Sequence, residues 1–254
     1  MSTGELTWMS DERCRVGDTT FLIFEPGATP QKPAGDLFLV KPKPLVERYA
    51  EIVAETSPRN IFELGIFEGG STVFLAELAR PHRLVAVDRK APASRALADY
   101  LAQDGRSGGV FVYTDVDQAD RKRLGAIVDD AFGDEPLDLV FDDCSHLYEP
   151  TRDSFNELFP RLRPAGTYVI EDWRWAHPPI DEEEPEGIWP AQTPLTRLIF
   201  EIVLSISSLP GLVADVKVEL RTVEITRGEL AVDPSTFDVS QSYNARGRRL
   251  LGGG

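Results

Sequence analysis

Cysteine is nearly absent: Cys14 and Cys144 are the only two in 254 residues. They lie far apart, outside any CxxC or Cys/His cluster, so they support neither a disulfide framework nor a structural zinc site and are expected as free thiols. Positive charge is also scarce. With 27 Lys and Arg against 42 Asp and Glu, and a net charge of -15, the chain lacks the counterion-displacing surface that nonspecific nucleic-acid binding needs. No apolar run approaches the ~20 residues of a membrane span. The start, MSTGELTWMSDERCRV, has no basic leader followed by an apolar core. A cytoplasmic protein with no membrane or nucleic-acid partner is expected. The remaining composition, 42% hydrophobic and 27% charged, is that of an ordinary globular chain, long enough for one large α/β domain or two small ones.

Between about residues 60 and 172, short β-branched apolar runs alternate with segments of helical period, the pattern of βαβ units. Strands are expected at Asn60 to Leu64, Leu84 to Asp88, Gly109 to Tyr113, Leu137 to Asp142 and Gly166 to Glu171. Helices are expected at Ser71 to Ala79, Ala93 to Gln103, Asp120 to Phe132 and Thr151 to Arg161, preceded by one at Pro44 to Thr56. Leu195 to Ser207 reads as a further helix, and VADVKVEL and TVEITR read as two antiparallel strands. This predicts an α/β fold, a doubly wound, mostly parallel seven-stranded sheet with its strand C-termini on one ligand-binding rim.

The expected organisation is an N-terminal cap at 1–43, with a hairpin or irregular turn around TTFLIFEPG, a main domain at 44–228 and a tail at 229–254. The Pro-rich, acidic stretch 176–194 is a long surface loop, either a lid or a solvated linker. Apolar groups in segment 188–204 suggest packing against a second subunit, hence a homo-oligomer.

IFELGIFEGGS, residues 61–71, runs from an apolar strand through a glycine turn into a helix. A dinucleotide fingerprint needs glycine at its second position, so that pyrophosphate can approach the backbone. Here that position is Phe67, which would crowd a pyrophosphate, and Glu68 would repel one. S-adenosylmethionine, an adenosine ligand without phosphate, avoids both problems. Glu63 could then accept from its ammonium group, with Gly65, Gly69 and Ser71 lining the turn. Asp88, ending VAVD, is placed for the ribose hydroxyls or for a helix cap or turn. In YTDVDQAD, Asp117 and Gln118 could reach adenine, while Asp117 or Asp120 could equally cap the next helix.

LDLVFDDCSHLYEP, residues 137–150, ends a strand with Asp142 and Asp143 and adds His146; TYVIEDW ends the next with Glu171 and Asp172. Carboxylates crowded on one rim repel unless a cation neutralises them, and hard oxygens suit Mg²⁺, with Mn²⁺ or Ca²⁺ as alternatives. Such a cation makes an unactivated hydroxyl easier to deprotonate. Of the three histidines, His146 alone sits in this loop and is the candidate proton acceptor or a plain surface residue; His177, on the following segment, is its rival.

Together ELGIFEGGS, DQAD, DDCSH and LRPAGTYVIEDW resemble the class I S-adenosylmethionine-dependent methyltransferases. They look most like the metal-dependent sugar O-methyltransferases of macrolide and related biosynthesis, a group that includes proteins called cephalosporin hydroxylases. The resemblance covers roughly residues 40 to 175. It implies a Rossmann-like methyltransferase fold and methyl transfer to a sugar hydroxyl of a small glycosylated antibiotic-type substrate. It also implies Asp143, Glu171 and Asp172 as metal ligands and His146 as general base. Asp142 is left near the donor's amino group or behind the ligands. Cys144 stands where that loop commonly has glycine. Catechol-type O-methyltransferases, which end the metal strand with Asp-Asn, rank second. A non-catalytic adenosine-ligand-binding subunit is the alternative from another class, and a dehydrogenase is disfavoured by Phe67 and Glu68.

Overall fold

A computed structural model describes residues 4–24, 37–92, 95–103, 109–179, 192–244 and 246. The N-terminal part forms β1 (Leu6–Ser10), β2 (Arg13–Val16), β3 (Thr19–Ile23) and β4 (Leu37–Leu39). The main part runs α1 (Lys43–Thr56), β5 (Asn60–Leu64), α2 (Gly70–Ala79), β6 (Arg83–Val87), α3 (Ala96–Leu101), β7 (Val110–Tyr113), α4 (Arg121–Phe132) and β8 (Leu137–Asp142). It continues with α5 (Tyr148–Leu158), β9 (Leu162–Glu171), α6 (Thr196–Ser208), β10 (Val213–Val218) and β11 (Thr222–Arg227). Residues 180–191 of the acidic loop lie outside the described residues, as does most of the C-terminal stretch after Asn244. No helix among the described residues is long and apolar enough to cross a membrane.

The large sheet has the order β10-β11-β9-β8-β5-β6-β7. β9, β8, β5, β6 and β7 are parallel neighbours, and β11 runs against both β9 and β10. The predicted seven-stranded, doubly wound α/β sheet is therefore the observed one. Its direction of progression reverses between β5 and β8, which opens a crevice at their C-terminal ends.

Period-two alternation sorts the side chains into two layers. Phe62 and Leu64 of β5, Val140 of β8 and Tyr168 and Ile170 of β9 join a core with Leu124, Phe155 and Leu198 of α4, α5 and α6. Ile61, Phe141 and Val169, from the same strands, join the opposite core with Tyr49, Val73 and Leu97 of α1, α2 and α3. Strands buried on both faces explain why the sequence shows apolar runs rather than amphipathic strands.

The N-terminal cap is more than a hairpin. β1, β2 and β3 form an antiparallel meander, and β4 adds to β3 in parallel. The cap buries Cys14, Val16 and Phe21 with α2. The approach is closest at Gly70, where a Cβ would lie 1.7 Å from the Phe38 carbonyl oxygen. Gly70→Ala is therefore expected to cost about 1–3 kcal/mol by overpacking, read as a lower urea midpoint; an unchanged midpoint would show that the cap can shift away. Part of the tail is also packed: Val239 is fully buried and donates its N–H to Asn156 Oδ1 at 2.9 Å.

Candidate active site

The glycine turn starts where β5 ends. Gly65 has φ +94°, and a Cβ there would lie 2.1 Å from the Asp143 carbonyl oxygen. The turn after β5 and the turn after β8 thus touch backbone to backbone, an approach that only glycine allows. Asp88, just beyond β6, locks the same turn. Its Oδ2 accepts from the N–H groups of Ile66 at 2.8 Å and Phe67 at 3.0 Å, and its Oδ1 from Lys90 at 2.8 Å. Oδ1, with one such contact, retains a second lone pair that a hydroxyl could use. Gly69 is the N-cap of α2, and Phe67 is largely exposed at the turn's tip.

Residues still paired in a strand face the helical layers, and only those beyond the last pair reach the rim. Glu63 follows Ile61 onto the α1/α2 face, is buried, and accepts from Thr72 Oγ1 at 2.6 Å. Burial pushes its carboxyl up to about 7, against the opposing pull of the Ser71 and Thr72 hydroxyls and the Lys41 charge. A carboxyl raised in the fold contributes stability at pH below about 4.5 that is lost as pH rises through about 7. Glu63→Gln should remove that loss, gaining on the wild type by about 1 kcal/mol or more between pH 4.5 and 7.5. Urea unfolding at the two pH values reads it, and a pH-independent difference would contradict it.

Asp142, expected near the donor's amino group or behind the metal ligands, follows Val140 onto the other face. It is buried and accepts from Gln118 Nε2 at 2.7 and 2.9 Å, Ser154 Oγ at 2.9 Å and Tyr168 Oη at 2.7 Å. Burial pushes its carboxyl up to about 6, with the Tyr168 and Ser154 hydrogen bonds pulling the other way. Gln118, expected to reach adenine, lies beside it. Its amide is turned inward, donating to Asp142 and Ser154 and accepting from Ser145 N–H at 3.2 Å. These two residues anchor the base of the 143–147 loop. Asp117 stays exposed and accepts from Ala119 N–H, while Asp120 caps α4 through Arg123 N–H. Cys144 is half-buried, and burial together with the surrounding aspartates pushes its thiol well above the usual range.

Past the strand ends, one oxygen each of Asp143 and Asp172 and one imidazole nitrogen of His146 lie within 4.8 Å of one another, all three half-buried. His146 Nε2 stands 3.9 Å from Asp143 Oδ1, too far for a hydrogen bond. His146 and Asp172 have φ of +57° and +49°, and Phe67 nearby has +50°. Such left-handed backbone in non-glycine residues is uncommon and tends to gather at functional sites. Trp175 Nε1 donates to the His146 carbonyl at 2.7 Å and so fixes the loop from the far side. His177 is exposed, hydrogen-bonded to Thr196, and outside this group.

Glu171, also expected as a metal ligand, is not in this group of three. It follows Val169 onto the α1 face and is buried, accepting from Tyr49 Oη and from Lys41 Nζ at 2.8 Å to both oxygens. Lys41 also donates to Asp143 Oδ2 at 2.7 Å. Burial alone would lower the ammonium's pKa, but Asp143 and Glu171 outweigh it and hold the group protonated, above the usual lysine range. Lys41 was invisible in the sequence, because no spacing rule connects residue 41 to residues 143 and 171.

Residues 62–173 match a family described as a methyltransferase domain. Over 37 residues the chain is 60% identical to demethylmacrocin O-methyltransferase of Streptomyces fradiae, a stretch covering 15% of this chain and 9% of that protein. Over 80 residues it is 43% identical to 8-demethyl-8-alpha-L-rhamnosyl tetracenomycin-C 2'-O-methyltransferase of Streptomyces olivaceus, covering 31% of this chain and 20% of that one. The solved MycE methyltransferase of the mycinamycin biosynthetic pathway, in complex with Mg, SAH and mycinamycin VI, is similar in fold. Its TM-score is 0.53 at 21% identity, over 72% of this chain and 48% of that chain. The matched stretches span a fifth or less of these curated relatives and about half of the solved one.

Proposed function

We propose that this chain, whose residues 62–173 match a methyltransferase domain, transfers a methyl group from S-adenosylmethionine to a sugar hydroxyl of a glycosylated natural product. The observation that carries the reading is the meeting of Asp143, His146 and Asp172 at the sheet's crevice, beside the glycine turn locked by Asp88. Support for the sugar acceptor comes from relatives whose names print a glycosyl group, the rhamnosyl tetracenomycin-C 2'-O-methyltransferase and an L-olivosyl-oleandolide 3-O-methyltransferase.

The donor's adenosine and methionyl parts fit along the turn from Gly65 to Ser71. Asp88 offers the remaining lone pair of Oδ1 to the ribose, and exposed Asp117 stands at the adenine end. Glu63 fixes the start of α2 through Thr72 and Ser71, behind the donor's methionyl end. Asp143 and Asp172 are a suitable pair for Mg²⁺, which is commonly held by one or two carboxylates and keeps waters or substrate oxygens. A divalent cation bound there would supply positive charge beside the acceptor hydroxyl. His146 accepts the hydroxyl proton, its loop held by Trp175 at the His146 carbonyl and by Gln118 at the Ser145 N–H. Because methyl transfer is an in-line displacement at the sulfonium carbon, the chain's contribution is alignment of donor and acceptor together with removal of that proton.

α6 exposes Phe200, Val203 and Ile206, the face on which a second copy would pack in a homo-oligomer. Calorimetric titration with S-adenosylmethionine and with NAD tests the donor assignment. Binding of the former and not the latter is expected; tight NAD binding would overturn it in favour of a dehydrogenase.

A further inference from the structure

β10 stands at one end of the large sheet, and among the described residues no strand pairs with its outer side. An edge strand offers a row of N–H and C=O groups, a template for another strand. Which residues carry them follows from the hairpin. Glu219 donates its N–H to the Thr222 carbonyl at 2.8 Å, and the register with β11 is regular from Asp215↔Thr226 to Val218↔Val223. Backbone groups of an antiparallel strand alternate in direction, so those of Asp215 and Lys217 turn to β11 and those of Val216 and Val218 turn outward. The side chains sort by face. Val216 packs on the α6 side, while Asp215 and Lys217 line a groove on the α1 side with Arg48, Glu224 and Thr226.

We infer that β10 pairs antiparallel with β10 of a second copy, about a two-fold axis through Val216, joining the two seven-stranded sheets edge to edge. This rests on the reading of α6 as a face between copies and is independent of the chemistry at the rim. Charge selects the register. An axis through Asp215 or Lys217 sets like charges directly opposite, which destabilises a strand pair. An axis through Val218, where the strand ends, runs the pairing into the turn at 219–221. The axis through Val216 pairs the strand with itself from 214 to 218 and sets each Asp215 opposite Lys217 of the partner subunit. That position is the close, non-hydrogen-bonded one, with Cα atoms ~4.5 Å apart. Lys217 already holds Glu219 at 2.6 Å, but both are partly exposed, and a surface pair of this kind is readily exchanged. The strand alone is too small, since a stable interface buries about 800 Å² per partner. Apolar surface around it supplies the rest: Val218 and Leu220 are 50% and 68% exposed, and α6, which packs on β10, exposes Phe200, Val203 and Ile206. A two-fold axis perpendicular to the sheet keeps α6 of both copies on one side.

The test is sedimentation velocity on wild type, Asp215→Lys, Lys217→Asp and an equimolar mixture of the two variants, with folding checked by circular dichroism. Wild type is expected as a dimer. Each variant alone sets like charges opposite one another and should dissociate at least about tenfold more readily. In the mixture one chain brings two lysines and the other two aspartates, so every cross-strand pair is again of opposite sign and dimers should re-form. A variant weakened only by misfolding would not be rescued in this way. A monomeric wild type would overturn the inference, as would single variants that dimerise as tightly as wild type or a mixture that stays monomeric. If Val203→Asp alone dissociates the dimer, α6 remains a face between copies and the β10 pairing falls.

Discussion

Replacing His146 with alanine is expected to slow methyl transfer by about 10²–10⁴-fold, the usual contribution of a positioned general base, while S-adenosylmethionine still binds with near-native affinity. The split follows from geometry. His146 sits on the loop after β8, on the acceptor side of the rim. The glycine turn and Asp88, the proposed donor side, are held by hydrogen bonds in which His146 takes no part. Its Nε2 is not hydrogen-bonded to Asp143, at 3.9 Å, so the imidazole is open to a proton from a bound hydroxyl. His146 itself has φ +57°, a left-handed conformation uncommon for a non-glycine residue. Calorimetry for the donor and initial rates for transfer read the two halves separately. Turnover at the wild-type level would remove His146 from the mechanism and bring His177 forward.

The second large effect belongs to Asp143. Its carboxylate is shared, one oxygen on Lys41 and the other facing His146, so Asp143→Ala removes the group through which the rim's internal cation and its open side communicate. Turnover should fall at least about 100-fold, in keeping with a loss of several kcal/mol of charge stabilisation in the transition state. The residual rate should no longer respond to Mg²⁺ or to a chelator. A variant whose rate still drops on chelation would show that the cation is held elsewhere.

The sheet was legible because parallel, doubly covered strands leave apolar runs between helical segments, and the antiparallel pair at β10 and β11 showed its alternation plainly. Helix ends moved by a few residues: α5 begins at Tyr148 rather than Thr151, and α3 is shorter at both ends. The N-terminal sheet was less legible, since β4 pairs with β3 across residues 25–36 and short strands carry little pattern. At the rim, Asp143, His146 and Asp172 could be found from the loop motif and the strand endings. In the sequence, Glu171 and Asp142 read as rim residues together with their neighbours in each acidic pair. Alternation, read from Val169 to Glu171 and from Val140 to Asp142, would have turned them to opposite helical layers. Lys41, Tyr49 and Trp175 left no such trace, because their roles are purely tertiary.

The central claim is methyl transfer to a glycosylated acceptor at this rim. Its most direct test is incubation with S-adenosylmethionine, Mg²⁺ and a panel of glycosylated metabolites, with mass detection of the products and a parallel chelator arm. The expected result is the gain of a single methyl group on the sugar of at least one acceptor, suppressed by the chelator. A protein that binds the donor but methylates nothing in the panel, or that methylates equally well with the cation removed, would contradict the account.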